Sequence, residues 1–346
     1  MAGVLKRMLW HTAKALGLFR LSRRITRNGL RILCYHGFSE GDEHVFRPLT
    51  FMRSETFCRR LSHLARHRYP VLALGEAIRR LHDGTLPAGA TAITIDDGFS
   101  SSYRQTIPAL ADFGFPATMY VTTYYCVKRN PIFRLAIQYM FWKTAAQELD
   151  LLGLGDLAGR VSLANQPEKD HVVHEIICYG ESSCDEPGRE RLAQQIGERL
   201  DVDYGAIVRQ RSLDLMSQEE VRSAADVGLD IQLHTHRHRL PPDEQQTQRE
   251  IVECRSVLEP LVKSPLIHFC YPSGVWSECH TPWLAALGIE TATTCDMGLN
   301  YRHTPKLALC RFLDSEDIPE IEFEAEMCGF KEILRKARAG FRRLRR

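Results

Sequence analysis

Seven short apolar runs recur along the chain, most of them followed by a polar cluster, glycine or proline. They are RILCY (31–35), AITI (92–95), ATMYV (117–121), LDIQL (229–233), LIHFC (266–270), ETATT (290–294) and LALC (307–310). Each is short and rich in apolar or β-branched residues, a pattern that suits a buried strand of a parallel sheet. Segments of helical period lie between them. In 54–67, Phe57, Leu61 and Leu64 recur at helical spacing. Residues 102–114 end on Gly114. Residues 217–228 open with Ser217 three positions before Glu220, a capping box, and close on Gly228. Residues 244–262 carry Ile251, Cys254, Leu258 and Leu261. Strands alternating with helices predict an α/β architecture, either a βα barrel or a doubly wound sheet. Residues 124–215 break the rhythm and read as a long insertion, helical over 132–152 and 189–200 and irregular near 165–187.

The two ends have a different character. Residues 3–20 place Val4, Leu5, Met8, Leu9, Leu16 and Phe19 near one helical stripe, with Lys6, Arg7 and Lys14 elsewhere. Residues 321–346 set Ile333, Leu334, Phe341 and Leu344 among many arginines. Both predict basic amphipathic helices, flanking a domain that spans 31–320. Each helix either lies on an anionic membrane surface or docks on its own domain, and docking is favoured at the C-terminus.

Charge sharpens this division. Residues 1–31 hold eight Lys or Arg and no acid; residues 331–346 hold eight basic residues and one acid, Glu332. The remaining 29 basic and 42 acidic residues leave the body at −13. An acidic body argues against nucleic acid as a partner. The first residues lack the unbroken apolar core of a secretory signal, and no run reaches the ~18–20 apolar residues that span a bilayer. The eleven cysteines are odd in number and form no CxxC pair. These features predict a cytoplasmic chain, at most peripheral on the inner membrane face, whose reduced thiols act as small buried hydrophobes.

In βα folds the chemistry gathers at the C-terminal ends of the strands. Here those ends read His36-Gly37, Asp96-Asp97-Gly98, His234 through His238, Tyr271-Pro272-Ser273-Gly274, Cys295-Asp296 and Arg311. His234 and His238 are four apart and share a face if the backbone turns helically. With an aspartate from another strand end they make a His₂Asp set, the donor pattern of a catalytic zinc site with an open position. Two adjacent aspartates leaving one strand point in different directions. One is then free to ligate a cation and the other to take a proton from water.

AITIDDGFSSSY, LHTHRHRL and FCYPSG, with ILCYHGFSE as the opening strand, resemble the polysaccharide deacetylases, the NodB-homology domain of carbohydrate esterase family 4. The resemblance covers about residues 31–315, the insertion excepted. It implies a distorted (β/α)7 barrel of NodB type and metal-dependent removal of an acetyl group from an N- or O-acetylated sugar, in a polysaccharide or a lipid-linked precursor. It implies Asp96 as general base and Asp97, His234 and His238 as ligands of a divalent metal, usually Zn²⁺. Tyr271, Pro272, Ser273 and Gly274 would line the acetyl pocket, with the Ser273 N–H at the oxyanion. His236 matches no ligand position, and Asp296 stands near the family's fourth motif. The sequence departs from the family twice. Cys270 replaces the arginine that braces the base, and LALCRF lacks the histidine that serves as general acid. His36 as proton donor and Arg311 as brace or substrate contact are the available substitutes, beside purely structural roles for both. A small linear amide as substrate, and a sugar-binding relic without activity, are the alternative functions.

Overall fold

All seven apolar runs form strands: β1 (Arg31–Tyr35), β2 (Thr91–Ile95), β3 (Thr118–Val121), β4 (Asp230–Leu233), β5 (His268–Cys270), β6 (Thr291–Met297) and β7 (Leu309–Leu313). The structure, a computed structural model, describes residues 2–157 and 159–344, with side chains described for 5–157 and 159–339. The strands pair in parallel in chain order, and β7 closes on β1. The sheet is therefore a (β/α)7 barrel and not a doubly wound sheet. It is uneven: the β6–β7 register shifts between Thr293 and Met297, and β4 meets β5 at a single Leu233–Phe269 position.

Successive strand side chains face opposite sides. Leu33, Ile93, Met119, Ile231 and Phe269 point outward into the main core beneath the helices. Ile32, Ala92, Tyr120, Cys270 and Leu309 have the other parity and fill the interior. They pack against Leu74, Ala77, Ile78 and Leu81 of the helix Leu74–Asp83, which plugs one end of the barrel. A Cβ on Gly75 of that helix would lie 2.9 Å from the His268 ring, so only glycine permits this approach. Further along the same inward faces the side chains become polar: Cys34, Thr94, Asp96 and Arg311, all buried.

The helices Ser54–Arg66, Ser100–Phe113, Gln218–Asp226 and Glu244–Leu258 lie where the periodicity places them. The Ser217–Glu220 capping box is formed. The insertion departs from expectation in two places. Residues 165–187 are not irregular: Asn165 accepts the Glu168 N–H and starts the helix Gln166–Ser183. Its buried positions are few, namely Val172, Ile176, Ile177 and Gly180, so its hydrophobic period is faint. The helix expected over 132–152 stops at Lys143, where Thr144 turns its hydroxyl to the Leu200 carbonyl. An antiparallel pair, Glu148–Asp150 with Arg160–Ser162, follows.

Each terminal segment is two helices. Ala2–Ala15 and Leu18–Ile25 meet at Gly17, and Glu320–Met327 and Phe330–Leu344 are separated by Cys328 and Gly329. Gly329 has φ +76° and lies against Thr26, leaving no room for a side chain. Trp10, Ala13 and Phe19 pack on Ile321, Ala325 and Cys328. Lys6 pairs with Glu322 at 2.8 Å and Lys14 with Glu324 at 2.6 Å. The two ends thus dock on each other. The side chains of Val4, Phe341 and Leu344 lie outside the described residues.

Candidate active site

β2 ends at Ile95 and the chain turns at once. The Asp96 N–H still donates to the Tyr35 carbonyl at 2.8 Å, extending the β1–β2 ladder, so Asp96 keeps the inward direction of Thr94. Asp97 then has φ 70° and Gly98 φ 81°. This left-handed pair sends the second carboxylate toward the rim. Neighbouring segments hold the turn: the Thr122 N–H donates to the Asp97 carbonyl at 3.1 Å, and the Met216 N–H to that of Gly98 at 2.8 Å.

His234 leaves β4 fully buried. Its Nδ1 lies 2.8 Å from the Cys270 carbonyl, which orients the ring and leaves Nε2 facing Asp97 Oδ1 at 3.3 Å. His238 brings its own Nε2 to 3.1 Å from the same oxygen. The two histidines do not meet on a helical face. Thr235 (φ 66°) and His238 (φ 53°) fold the segment into a loop, closed by the Arg239 N–H on Thr235 Oγ1. His236 turns away to Thr123 Oγ1 at 2.8 Å. Asp97, Thr235, His238 and Ser273 are four of the eight non-glycine residues with positive φ among the described residues. Such costly conformations persist where surrounding structure imposes them, typically at sites of chemistry.

The Asp97, His234 and His238 ligand atoms lie within 4.8 Å of one another. Yet Asp97 Oδ1 is buried and accepts no hydrogen bond. An orphaned carboxylate oxygen facing two imidazole nitrogens is the arrangement a divalent cation satisfies. The His234 Nδ1 contact to a backbone carbonyl is the support that metal-binding imidazoles usually have. Burial alone would raise the Asp97 pKa; the imidazoles of His238 and His234 outweigh it and hold the carboxyl well below its usual range.

Asp96 faces a different partner. Arg311, with no exposed surface, donates Nη1 to Oδ1 and Nη2 to Oδ2, each at 2.7 Å. Its Nε donates to the Thr294 carbonyl at 2.9 Å and its Nη1 also reaches Thr94 Oγ1 at 3.2 Å. Burial pushes the Asp96 pKa up, but the guanidinium outweighs it and keeps the carboxylate ionised. The thiols of Cys34 and Cys270 lie 3.5 and 3.3 Å from Oδ2. Asp96 also falls into two other groups of potential metal donors, with Cys34 and His36 and with His234 and Cys270. Its bidentate engagement by Arg311 makes these poorer cation sites than the one at Asp97. His36 stands at the same mouth, its Nε2 3.8 Å from Asp96 Oδ2, and is partly exposed.

On the opposite rim, Pro272–Gly274 form a tight turn with Ser273 (φ 54°) exposed. Gly274 has φ +66°, and a Cβ there would lie 2.4 Å from that of Cys295. Burial corrects two expected substrate contacts. Tyr271 is fully buried and donates its hydroxyl to the Leu307 carbonyl at 2.9 Å. Arg311 serves Asp96 and is not presented to a substrate. Asp296 accepts from Trp276 Nε1 at 3.3 Å. Sequence reasoning missed Cys34 and Thr94 as neighbours of the base; the period-two pattern already placed Thr94 on Asp96's face.

Residues 192–292, which carry His234, His238 and the 271–274 turn, match the family model for polysaccharide deacetylase. The fold is similar to that of Streptococcus pyogenes deacetylase PplD, with TM-score 0.56, 16% identity and coverage of 86% of this chain and 98% of that one. IcaB from Ammonifex degensii matches with TM-score 0.54, 17% identity and coverage of 87% and 97%. A de-N-acetylase from Aggregatibacter actinomycetemcomitans matches with TM-score 0.52, 11% identity and coverage of 86% and 99%. No curated protein sequence matches the chain. Over the matched residues the chain is similar to polysaccharide deacetylases, and the solved structures share its barrel fold.

Proposed function

We propose that this chain removes the acetyl group from an N-acetylated sugar of a glycan or glycan precursor, using a divalent cation. The observation that carries the reading is the convergence of His234, His238 and the orphaned Asp97 oxygen beside an Arg311-braced Asp96. Asp97, His234 and His238 would hold the cation, and two imidazoles with one carboxylate suit Zn²⁺. When bound, the cation supplies Lewis-acid polarisation of the acetyl carbonyl and of water. Asp96, held ionised in the resting site by Arg311, accepts a proton from the attacking water. His36, within 4 Å of Asp96 and open to solvent, returns a proton to the departing nitrogen. The exposed backbone at Ser273 flanks the carbonyl oxygen as it gains charge. The C–N bond breaks, and acetate and a free amine leave. Arg311 supplies the brace that position 270 lacks, which supports an active site over a sugar-binding relic.

The test is acetate and free-amine release by Zn²⁺-loaded protein from a panel of N-acetylated mono- and oligosaccharides, O-acetylated sugars and acetylated polyamines. Equal acetate and amine from the N-acetylated sugars is the expected result. Release only from polyamines would replace the substrate class. Acetate without amine would mean ester cleavage, and release from no substrate would refute the reading.

A further inference from the structure

The N-terminal helices bury only part of their apolar surface. On Ala2–Ala15, Trp10 and Ala13 face the domain. Leu5, Met8, Leu9 and Leu16 follow the i, i+3, i+4 spacing of a second stripe, and all are exposed, Leu5 and Leu16 at 71%. The helix Leu18–Ile25 repeats the arrangement. Phe19 and Ser22 are buried, while Leu18, Leu21 and Ile25 face solvent. Leu16 and Leu18 flank the Gly17 turn, so the exposed stripe continues from one helix to the next. Seven large apolar side chains close together in sequence are more than the scattered exposure of an ordinary surface.

The same segment has no acidic residue. Lys6 and Lys14 are paired, but Arg7, Arg20 and Arg24 make no ion pair among the described residues. Beside the stripe lies a cleft of ≈ 450 Å³ whose lining includes Lys14, Arg20, Arg23, His67, Tyr69 and Glu324. Arg23 is fixed there over the Tyr69 ring, 4.3 Å from its centroid, and donates to the His67 carbonyl. No helix among the described residues is long and apolar enough to cross a membrane.

We infer that this face seats the protein on the interface of an anionic lipid bilayer. The leucine stripe enters the headgroup–acyl boundary, Arg7, Arg20 and Arg24 meet headgroup phosphates, and the cleft receives one of them. An amphipathic helix with a cationic flank binds in this way through apolar burial and attraction to anionic lipid together. Charge separates this occupant from a second copy of the chain, which would bring two cationic faces into contact. The helix Leu18–Ile25 leads to the N-terminal end of β1, whereas His36 follows its C-terminal end. The catalytic mouth therefore stays clear of the docking face.

The full chain is tested by co-sedimentation with vesicles of phosphatidylcholine alone or mixed with phosphatidylglycerol, at low and high salt. Binding should require the anionic lipid, weaken with salt, and fall about tenfold or more when Leu9→Glu and Leu21→Glu are combined. Both side chains are exposed, so the melting temperature of the variant should match the parent and show that a loss of binding is not unfolding. No binding to either vesicle, equal binding to both, or unchanged binding by the variant would overturn the inference. Sedimentation velocity supplies a further check: a parent dimer that Leu9→Glu separates would make this a chain–chain interface and overturn it equally.

Discussion

Replacing Arg311 by methionine isolates the feature on which the base depends. The guanidinium is wholly buried and binds both oxygens of a wholly buried carboxylate at 2.7 Å. Methionine keeps an unbranched chain but removes the charge and every donor. Asp96 is then a buried anion without a counter-charge, a change that costs about 3–5 kcal/mol when one partner of such a pair is deleted. The carboxyl limits the loss by taking up a proton, because with Arg311 gone burial is opposed only by weaker neighbours such as His36 and His234. The destabilisation should therefore be largest at neutral or alkaline pH and shrink in acid. Arg311→Met combined with Asp96→Asn should recover most of the stability, since no buried charge remains. Urea denaturation of the four proteins of this cycle, at pH 5 and pH 8, measures both effects. In parallel, the acid limb of acetate release by Arg311→Met should move to higher pH as the base becomes harder to ionise. A loss below about 1 kcal/mol at pH 8, or single effects additive within about 0.5 kcal/mol, would refute the brace.

Other consequences follow from the same geometry. Asp97→Asn or His238→Ala should weaken Zn²⁺ binding by more than about 100-fold, exceeding the usual cost of losing an outer-shell partner. Asp96→Asn should keep the metal and lose about 10²–10⁴-fold in acetate release; calorimetric Zn²⁺ titration beside the rate assay separates the two aspartates. Burial pushes Asp214 up to about 6 from 3.8, and its Oδ1 has no hydrogen-bond partner. The folded chain thus holds this proton more tightly than the unfolded one, and the associated stability is complete below pH 3.8 and lost as pH rises through about 6. Asp214→Asn should gain on the parent by at most about 3 kcal/mol between pH 4 and pH 7, and a pH-independent difference in denaturation would contradict this. Gly274→Ala places a Cβ 2.4 Å from that of Cys295 at φ +66°, and should cost about 2 kcal/mol or more, read as a lowered urea midpoint.

The chain alone determined which segments become strands and which residues stand at their ends. Apolar runs of five or so residues have little choice but burial on both faces, and strand exits carry the groups that burial would not tolerate. That logic places Asp96, Asp97, His234 and His238 at strand exits, where the fold brings their side chains together. It failed at 165–187, where few positions of the helix are buried and the period is too faint to see. It also took a helical turn as the way to bring His234 and His238 together; Thr235 and His238 instead adopt left-handed backbone that local propensity disfavours and only surrounding contacts impose. Other facts belong to tertiary structure because they join residues far apart in sequence. Arg311 reaches Asp96 across 215 positions because β7 closes on β1 and the inward faces converge. The two apolar stripes of the N-terminal helix look like one broad stripe in the sequence. Only the docking of Trp10 and Ala13 on the last helices, with Leu5, Met8 and Leu9 left in solvent, divides them, because burial is a property of what lies opposite a side chain and not of the side chain itself.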